Sequence, residues 1–233
     1  MTTTTSTPAT CEEGWTPVHV TRSLLGWGIV AGPFYVITSI VQAQAREGFD
    51  LRRHQWSLLQ NGDLGWIQVA NFLLTGSMLI AFAVGMRRAL VPGPASRWAP
   101  ILTGVFGASM IAAGIFTADP ALGFPAGVPD GPAVVTTRGV LHFAAAGVGF
   151  LSIAAACFVV ARRQSSDGHR GRALFSRLTA IGFLCGFLCI ASGGGSVAAN
   201  LAFTAAVILV FIWTSVTAAD LYRAVSPQSA PSL

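Results

Sequence analysis

Long apolar stretches follow one another along most of the chain, separated by short polar or arginine-bearing connectors. Six of these stretches are close to the ~20 residues with which a helix crosses a ~30 Å hydrocarbon core. They cover residues 24–43, 64–86, 98–117, 139–161, 174–192 and 197–219. Residues 1–20 are Thr-rich and lack an apolar period, so they are predicted to be a disordered tail, as are residues 224–233. The pattern predicts an all-α membrane protein whose domain, residues 21–223, is a bundle of six transmembrane helices.

Most of the last two spans lies in one charge-free run of 42 residues, from Leu178 to Ala219. A single helix of that length would extend about 63 Å at ~1.5 Å per residue, roughly twice the thickness of the hydrocarbon core. The run must therefore fold back on itself. The Gly-Gly-Gly-Ser segment at residues 193–196 is the predicted turn, because glycine accepts positive φ freely.

Composition and charge also indicate that most of the chain lies in a membrane. The chain is 53% hydrophobic and 10% charged, whereas soluble proteins average about 25% charged residues. All 14 basic residues are arginines. They flank the apolar stretches and form no continuous basic face, so nucleic acid is not a predicted partner.

The distribution of the arginines predicts the orientation. With both termini in the cytoplasm, ten arginines lie on the cytoplasmic side and four on the other. The excess on one side favours cytoplasmic N- and C-termini in a multi-pass protein of the cell inner (plasma) membrane. The loops at residues 46–63 and 119–138 then share the outer side.

Ionisable side chains near the predicted membrane core gather towards that outer side. Asp119 ends the third span, where a carboxylate meets the negative end of the helix dipole and needs a partner. Arg138 and His142, four residues apart at the start of the fourth span, share one helix face and could supply it. Two interpretations stay open: a charged ligand pocket, or a salt bridge that pins the two helices together.

A second group of polar residues lies on and before the second span. Gln68, Asn71 and Thr75 form a stripe at helical spacing, which either points towards Asp119 and His142 or forms hydrogen bonds across the bundle. His54 and Ser57 lie in the preceding outer loop, where His54 is expected to be solvated. The ligand-pocket candidates are therefore Asp119, Arg138, His142, His54, Ser57, Gln68 and Asn71.

These residues allow three hypotheses of function, and whether the protein is an enzyme stays open. The first is binding of a small polar ligand, a lipid headgroup or a partner protein at the outer pocket. In each case the lipid bilayer surrounds the helices. The second is a membrane-embedded hydrolase or metalloenzyme, although no elbow motif presents Ser57 and no histidine pair has a metal-motif spacing. The third is a small transporter. No cofactor and no metal site are predicted, and the oligomeric state is not determined.

Three segments carry a resemblance to a known family. Their patterns are RHxxSLLxxGxxGWIQxxNFxxxG at residues 53–76, GIFxxDPxxGFPxG at residues 114–127 and GxxH at residues 139–142. Together they resemble an uncharacterised family of bacterial integral membrane proteins catalogued as domain of unknown function 998, over about residues 24–222. The resemblance implies a six-helix bundle with no assigned activity, and it gives no residue a role.

Overall fold

The computed structural model of the protein describes residues 16–90, 92–192 and 196–225. These residues form six long helices and one short 3-10 helix, and no strand occurs among them. The long helices are α1 Pro17–Ala45, α2 Gly65–Ala89, α3 Pro94–Ile115, α4 Thr137–Ser166, α5 Arg170–Ala191 and α6 Val197–Ala224; the 3-10 helix is Trp56–Gln60. All six long helices have the length and hydropathy to cross a membrane. The predicted six-helix membrane bundle is confirmed.

The helices form a closed ring. Each helix packs against the next one along the chain, and α6 returns to pack against α1. The guanidinium of Arg22 on α1 lies 4.3 Å from the ring centre of Tyr222 on α6, so the described chain ends meet at one end of the bundle. We call this the termini end. The opposite end is the cap end, because the two long loops, residues 46–64 and 116–136, cover it; together these loops are the cap.

The predicted helix limits are accurate at the cap end and too short at the termini end. At the cap end every limit agrees within two residues. At the termini end α1 begins at Pro17 rather than 24, α4 ends at Ser166 rather than 161, and α6 ends at Ala224 rather than 219. Hydropathy measures the apolar length, whereas backbone hydrogen bonds continue a helix through arginines that lie beyond the hydrocarbon core.

The start of α1 corrects the predicted N-terminal tail. Residues 17–20 are helical, and the Thr16 side chain caps the helix by accepting from the His19 amide at 3.4 Å. The rest of that predicted tail, and nearly all of the C-terminal one, lie outside the described residues, as does the turn at residues 193–195.

The half of the ring nearer the termini has a filled core. Large side chains from α1, α2, α4 and α6 are at most 1% exposed there: Leu25, Phe82, Met86, Ile153 and Trp213. The Trp213 indole also donates to the Ser176 hydroxyl at 2.9 Å. This half is therefore closely packed from one side of the ring to the other.

The two loops of the cap form one packed unit around Phe124, which is fully buried. The Phe49 ring meets Phe124 edge-on at 5.1 Å, and the His54 ring lies 5.6 Å from it. The guanidinium of Arg46 lies over the same ring. Because the first loop supplies three neighbours to a side chain of the second, the loops hold each other in place.

Candidate functional site

Polar side chains tie the cap to the helix ring. Gln60 donates to the Ala113 carbonyl at 2.9 Å and accepts from the Ala118 amide at 3.3 Å, which joins the 3-10 helix to the end of α3. Asn200 of α6 donates to the Leu51 carbonyl at 2.8 Å. Both side chains are buried. The cap is therefore fixed to two helices that lie on different sides of the ring.

Arg46 supports the cap from the end of α1. Its guanidinium donates to the carbonyls of Leu59 at 3.2 Å and Asn61 at 2.6 Å. Partial burial lowers the pKa of Arg46, and the nearby Asp63 carboxylate opposes that shift. An arginine pKa starts far above neutrality, so the side chain stays charged. Its role is to hold the carbonyls at the C-terminal end of the 3-10 helix.

His54 is buried between the two loops of the cap, so the expectation that it is solvated is wrong. Its side chain is 2% exposed. Nδ1 accepts from the Asp50 amide at 2.9 Å, and Nε2 lies 3.0 Å from the Leu122 carbonyl, which can only accept. Both ring nitrogens are therefore engaged, with the proton on Nε2. The ring joins the two cap loops and has no nitrogen available for a ligand.

Asp119 is held by the N-terminus of α4. One carboxylate oxygen accepts from the Thr136 amide at 2.8 Å, and the other from the Thr136 hydroxyl at 2.5 Å. The Thr136 hydroxyl in turn accepts from the Gly139 amide, so it caps α4. A carboxylate beside the positive end of a helix dipole is favourably placed. The predicted need for a partner is met by this helix end.

Arg138 does not form the predicted salt bridge. It is exposed, and no ion pair joins it to Asp119 within the described ranges. Gly139 explains the arrangement, because a Cβ at this position would lie 1.9 Å from the Asp119 carboxylate. The carboxylate fits against the bare glycine backbone, while the Arg138 side chain lies outside the helix junction. At this junction, the contact between Asp119 and the capped N-terminus of α4 joins the two helices.

His142 also connects α3 to α4. Its Nδ1 lies 3.0 Å from the Ala113 carbonyl and 2.8 Å from the Phe116 carbonyl, both at the end of α3. The Phe72 ring meets the imidazole edge-on at 6.2 Å. The side chain is 7% exposed. Nδ1 thus donates to carbonyls at the C-terminal end of α3, where the backbone offers no N–H donor within the helix.

The stripe on α2 faces α1 and not His142. The Gln68 carbonyl oxygen accepts from Gln42 at 2.7 Å, and the Asn71 amide donates to the Ser39 hydroxyl at 3.2 Å. The Asn71 amide also reaches the Tyr35 carbonyl at 3.2 Å. All these polar groups are buried between two helices. Of the two interpretations left open, hydrogen bonding across the bundle is the one that the contacts support.

The catalytic sets considered from the sequence are not assembled in the described part of the chain. Ser57 is half-buried, and its hydroxyl forms no hydrogen bond with the His142 ring there. Asp119 is bonded to Thr136 and so does not orient that imidazole. No group of three or more histidine, cysteine or acidic side chains that could hold a metal occurs among the described residues. His142 and Ser57 do share one feature, which is the cavity that they line.

A cavity of about 620 Å³ occupies the cap half of the ring. Ser57, Asp119 and His142 reach it near the cap, and Ser109 and Thr204 line it further down. Apolar side chains of α3 to α6 form most of the wall, including Phe106, Met110, Phe143, Phe150, Phe183, Phe187, Phe203, Val207 and Phe211. The resulting volume is a largely apolar chamber with a polar end.

The phenylalanines form a connected wall between α4, α5 and α6. The Phe150 ring lies 4.9 Å from Phe183, 5.0 Å from Phe187 and 5.7 Å from Phe203. Such edge-to-face and tilted pairs are the favoured geometries of aromatic rings. The wall reaches the outside near Phe143, which lines the cavity and is 51% exposed. The chamber therefore opens sideways, on the apolar flank of α4.

Several residues of the site were not singled out from the sequence. Gln60 and Asn200 hold the cap, and each carried a usable signal as an amide beside or inside an apolar stretch. Phe183 and Phe187 are one helical turn apart, and Phe143 and Phe150 are two turns apart, so each pair shares a helix face. Helical spacing shows a shared face but does not show whether that face is packed or borders an empty volume.

Fold and site together define a multi-pass, all-α membrane protein whose six helices surround a capped, largely apolar cavity. Comparison with family models assigns residues 29–220 to the family described as "Protein of unknown function (DUF998)". The match covers most of the chain, so the protein belongs to this family, as the sequence resemblance predicted. No curated protein and no solved structure gives a significant match.

Proposed function

We propose that the protein binds a lipophilic molecule of the membrane inside the cap half of its helix ring. The single observation that supports this most strongly is the cavity of about 620 Å³ with phenylalanine walls and a polar end. Its volume lies within the range of small-molecule sites, about 300–1,000 Å³. Such sites are mostly apolar and have a few polar groups that fix the orientation of the ligand.

The sideways opening supports access from the bilayer. Val140 and Phe143 on α4 line the cavity and are about half exposed. A ligand dissolved among the lipid chains would pass between these side chains without crossing water. Exposed side chains change rotamer within nanoseconds, so this route needs no movement of a helix.

The residues that line the cavity narrow the class of ligand, which the sequence left open as a small polar ligand, a lipid headgroup or a partner protein. Most polar lining residues lie at the cap end of the chamber, and the larger volume below them is mainly apolar, with Ser109 and Thr204 as polar members. A purely polar ligand would leave that volume unfilled, whereas an amphipathic one matches both parts. In this proposal the protein lies in the plasma (inner) membrane with the cap outward, which the arginine distribution supports.

The other hypotheses gain less support from the geometry. A transporter needs a route through the termini half, and Phe82, Met86 and Trp213 fill the ring there. The polar stripe of α2 bonds to α1 and does not line the chamber. A hydrolase needs the Ser57 hydroxyl on a base, and that contact is not formed.

Trp56 lines the cavity and can report on its occupancy. In purified protein, a brominated long-chain alkane should quench the fluorescence of Trp56. The variant Trp56→Phe should lose the saturable part of the quenching, whereas Trp213→Phe should keep it, because Trp213 is buried in the termini half and does not line the cavity.

Two substitutions on α4 separate binding in the cavity from binding on the outer surface. Ala146 lines the chamber, so Ala146→Phe should fill part of it and weaken saturable quenching. Val148 is 55% exposed and is not among the lining residues, so Val148→Phe should change little. Equal quenching in both variants, or quenching that never saturates, would overturn the proposed function.

The orientation has its own test. Pro132 in the cap and His169 at the termini end are both exposed. In a cysteine-free background, a membrane-impermeant maleimide added to whole cells should label Pro132→Cys and spare His169→Cys. Labelling of His169→Cys alone would show that the cap faces the cytoplasm.

A further inference from the structure

The hydrogen bonds of His142 determine which of its ring nitrogens carries a proton. Nδ1 contacts two backbone carbonyls, at 3.0 and 2.8 Å, and carbonyl oxygens can only accept. Nδ1 is therefore the protonated nitrogen, and in the neutral ring Nε2 is an acceptor. The Asp119 carboxylate is bonded to Thr136 and does not pair with the ring. Without a directly paired counter-ion, a buried imidazolium would be unfavourable, and the nearby Asp119 charge offsets only part of the cost of burial.

Within the described chain, Nε2 of His142 is an acceptor of the site without a partner, and the buried Trp56 indole nitrogen, also on the lining, is a donor without one. Nε2 forms no hydrogen bond among the described residues, although the His142 side chain is 93% buried, being 7% exposed. Nδ1 faces the end of α3, and the imidazole lines the chamber. The ring thus presents Nε2, on its other side, to the cavity. His54 shows the contrast, because both of its nitrogens have backbone partners.

The charges around the chamber narrow the chemistry of the ligand. No arginine is among the described residues that line it, and Asp119 is its acidic member. A phosphate or carboxylate group would therefore meet a carboxylate and an acceptor nitrogen, with no cation beside them. A neutral group that donates a hydrogen bond meets complementary atoms instead.

We infer that the ligand is a lipophilic alcohol whose hydroxyl group donates a hydrogen bond to Nε2 of His142 while its apolar body lies against the phenylalanine wall. This inference rests on the proposed function, because it requires that the chamber be occupied. It adds the chemical class of the ligand and the atom that recognises it. The half-buried Ser57 hydroxyl is a further polar group at the same end of the chamber.

A matched set of probes tests the inference in the full-length protein in detergent micelles. 1-Dodecanol, its methyl ether and dodecane compete against the brominated alkane for Trp56 quenching, with concentrations expressed per micelle. The ether keeps the oxygen and the chain but lacks the donated proton. Since one net hydrogen bond is worth about 1 kcal/mol or slightly more, the alcohol should displace the probe about five- to tenfold better than the ether.

Variants assign that preference to a residue. His142→Phe should abolish the difference between alcohol and ether while both still compete, and Ser57→Ala should retain it. Equal competition by all three probes in the wild-type protein would overturn the role of the hydroxyl group but leave the proposed function standing. Failure of every probe to compete would overturn the proposed function itself. Tighter binding of dodecylamine than of dodecanol would show that Asp119 selects a cation, and would also overturn the inference.

A spectroscopic measurement keeps the inference testable if His142→Phe fails to fold. In protein labelled with ¹⁵N-histidine, the Nε2 resonance of His142 should be that of an unprotonated nitrogen and should shift when dodecanol is added. Dodecyl methyl ether should leave it unmoved, and the resonances of His54 should respond to neither. A protonated Nε2, or an unchanged Nε2 resonance at saturating dodecanol, would contradict the inference.

Discussion

The two halves of the helix ring are built from similar apolar residues but differ in how their centre is filled. Near the termini, side chains such as Phe82, Ile153 and Trp213 are almost completely buried against one another. Near the cap, phenylalanines of similar size surround a cavity of about 620 Å³. The cap half compensates with buried amides, His54 and Arg46, which fix the loops that close it.

This difference shows how a small bundle can hold an open volume without collapsing. Helices in lipid gain little from hydrophobic force between them, so packing and hydrogen bonds determine their separation. The termini half supplies the packing and the cap supplies the hydrogen bonds. The proposed binding site lies between these two rigid regions.

The largest expected effect on stability comes from removing a large side chain from the packed core of the termini half. Trp213→Ala should lower the free energy of unfolding by about 3–5 kcal/mol, because it creates a new cavity and removes the bond to Ser176. Phe203→Ala enlarges a volume that is already empty, so it should cost about half as much. Denaturant titration in mixed micelles measures both variants. Equal losses would mean that the cap half is as closely packed as the termini half.

The next effect tests the contact between α3 and α4. Gly139→Ala places a methyl group 1.9 Å from the Asp119 carboxylate and should destabilise the protein by about 1–3 kcal/mol. Gly147→Ala on the same helix meets its nearest atom at 3.9 Å, and should be neutral or stabilising by about 0.5–1 kcal/mol. Denaturant titration in mixed micelles measures the free energy of unfolding of both variants. A neutral Gly139→Ala would show that Asp119 is not held where the structure has it.

A smaller effect separates helix capping from a salt bridge. Asp119→Asn weakens two hydrogen bonds to Thr136 and should cost about 1–2 kcal/mol. Arg138→Ala should change stability by less than about 0.5 kcal/mol, because the side chain is exposed and does not pair with Asp119. A large loss in Arg138→Ala that disappears in the Asp119→Asn background would restore the salt bridge.

The smallest effect concerns the polar stripe on α2. Gln68→Leu removes hydrogen bonds to Gln42 and Ser39, and bonds of this kind within a membrane bundle are worth about 0.6 kcal/mol on average and ~1.7 at most. Ser77→Ala, whose hydroxyl bonds only to its own helix, is the matched control with no expected loss. Quenching of Trp56 by the brominated alkane should stay unchanged in both. Weaker quenching in Gln68→Leu would place the stripe in the binding site.

Prediction of the helices succeeded where the sequence contains local stop signals. At the cap end, glycine, proline and polar residues interrupt the apolar stretches, so the predicted limits agree with the structure within two residues. At the termini end the helices continue through Arg22, Arg162 and Arg223, and hydropathy alone ends them too early. A charge in a helix marks the edge of the hydrocarbon core but does not mark the end of the hydrogen-bonded backbone.

Three of the seven predicted pocket residues, Ser57, Asp119 and His142, line the cavity, whereas the other four do not. Asp119 and His142 do lie together at the junction of α3 and α4, as their positions at facing helix ends suggested. Their partners are Thr136 and backbone carbonyls, which offer no pattern that sequence spacing could reveal. Gln68 and Asn71 turned out to face α1, because the rotation of α2 is set by packing against two neighbours at once.

By itself, the sequence determined the number of spans, the separation of the final apolar run into two helices and the side of the bundle on which the polar loops lie. These properties depend on the length of apolar segments and on local turn residues. Only the tertiary structure decided which acceptor each polar group uses, that Nε2 of His142 is left over, and that the phenylalanine faces surround an unfilled volume. Those properties depend on which helix faces meet and how closely, since hydrogen bonds and voids form between residues that are distant in sequence.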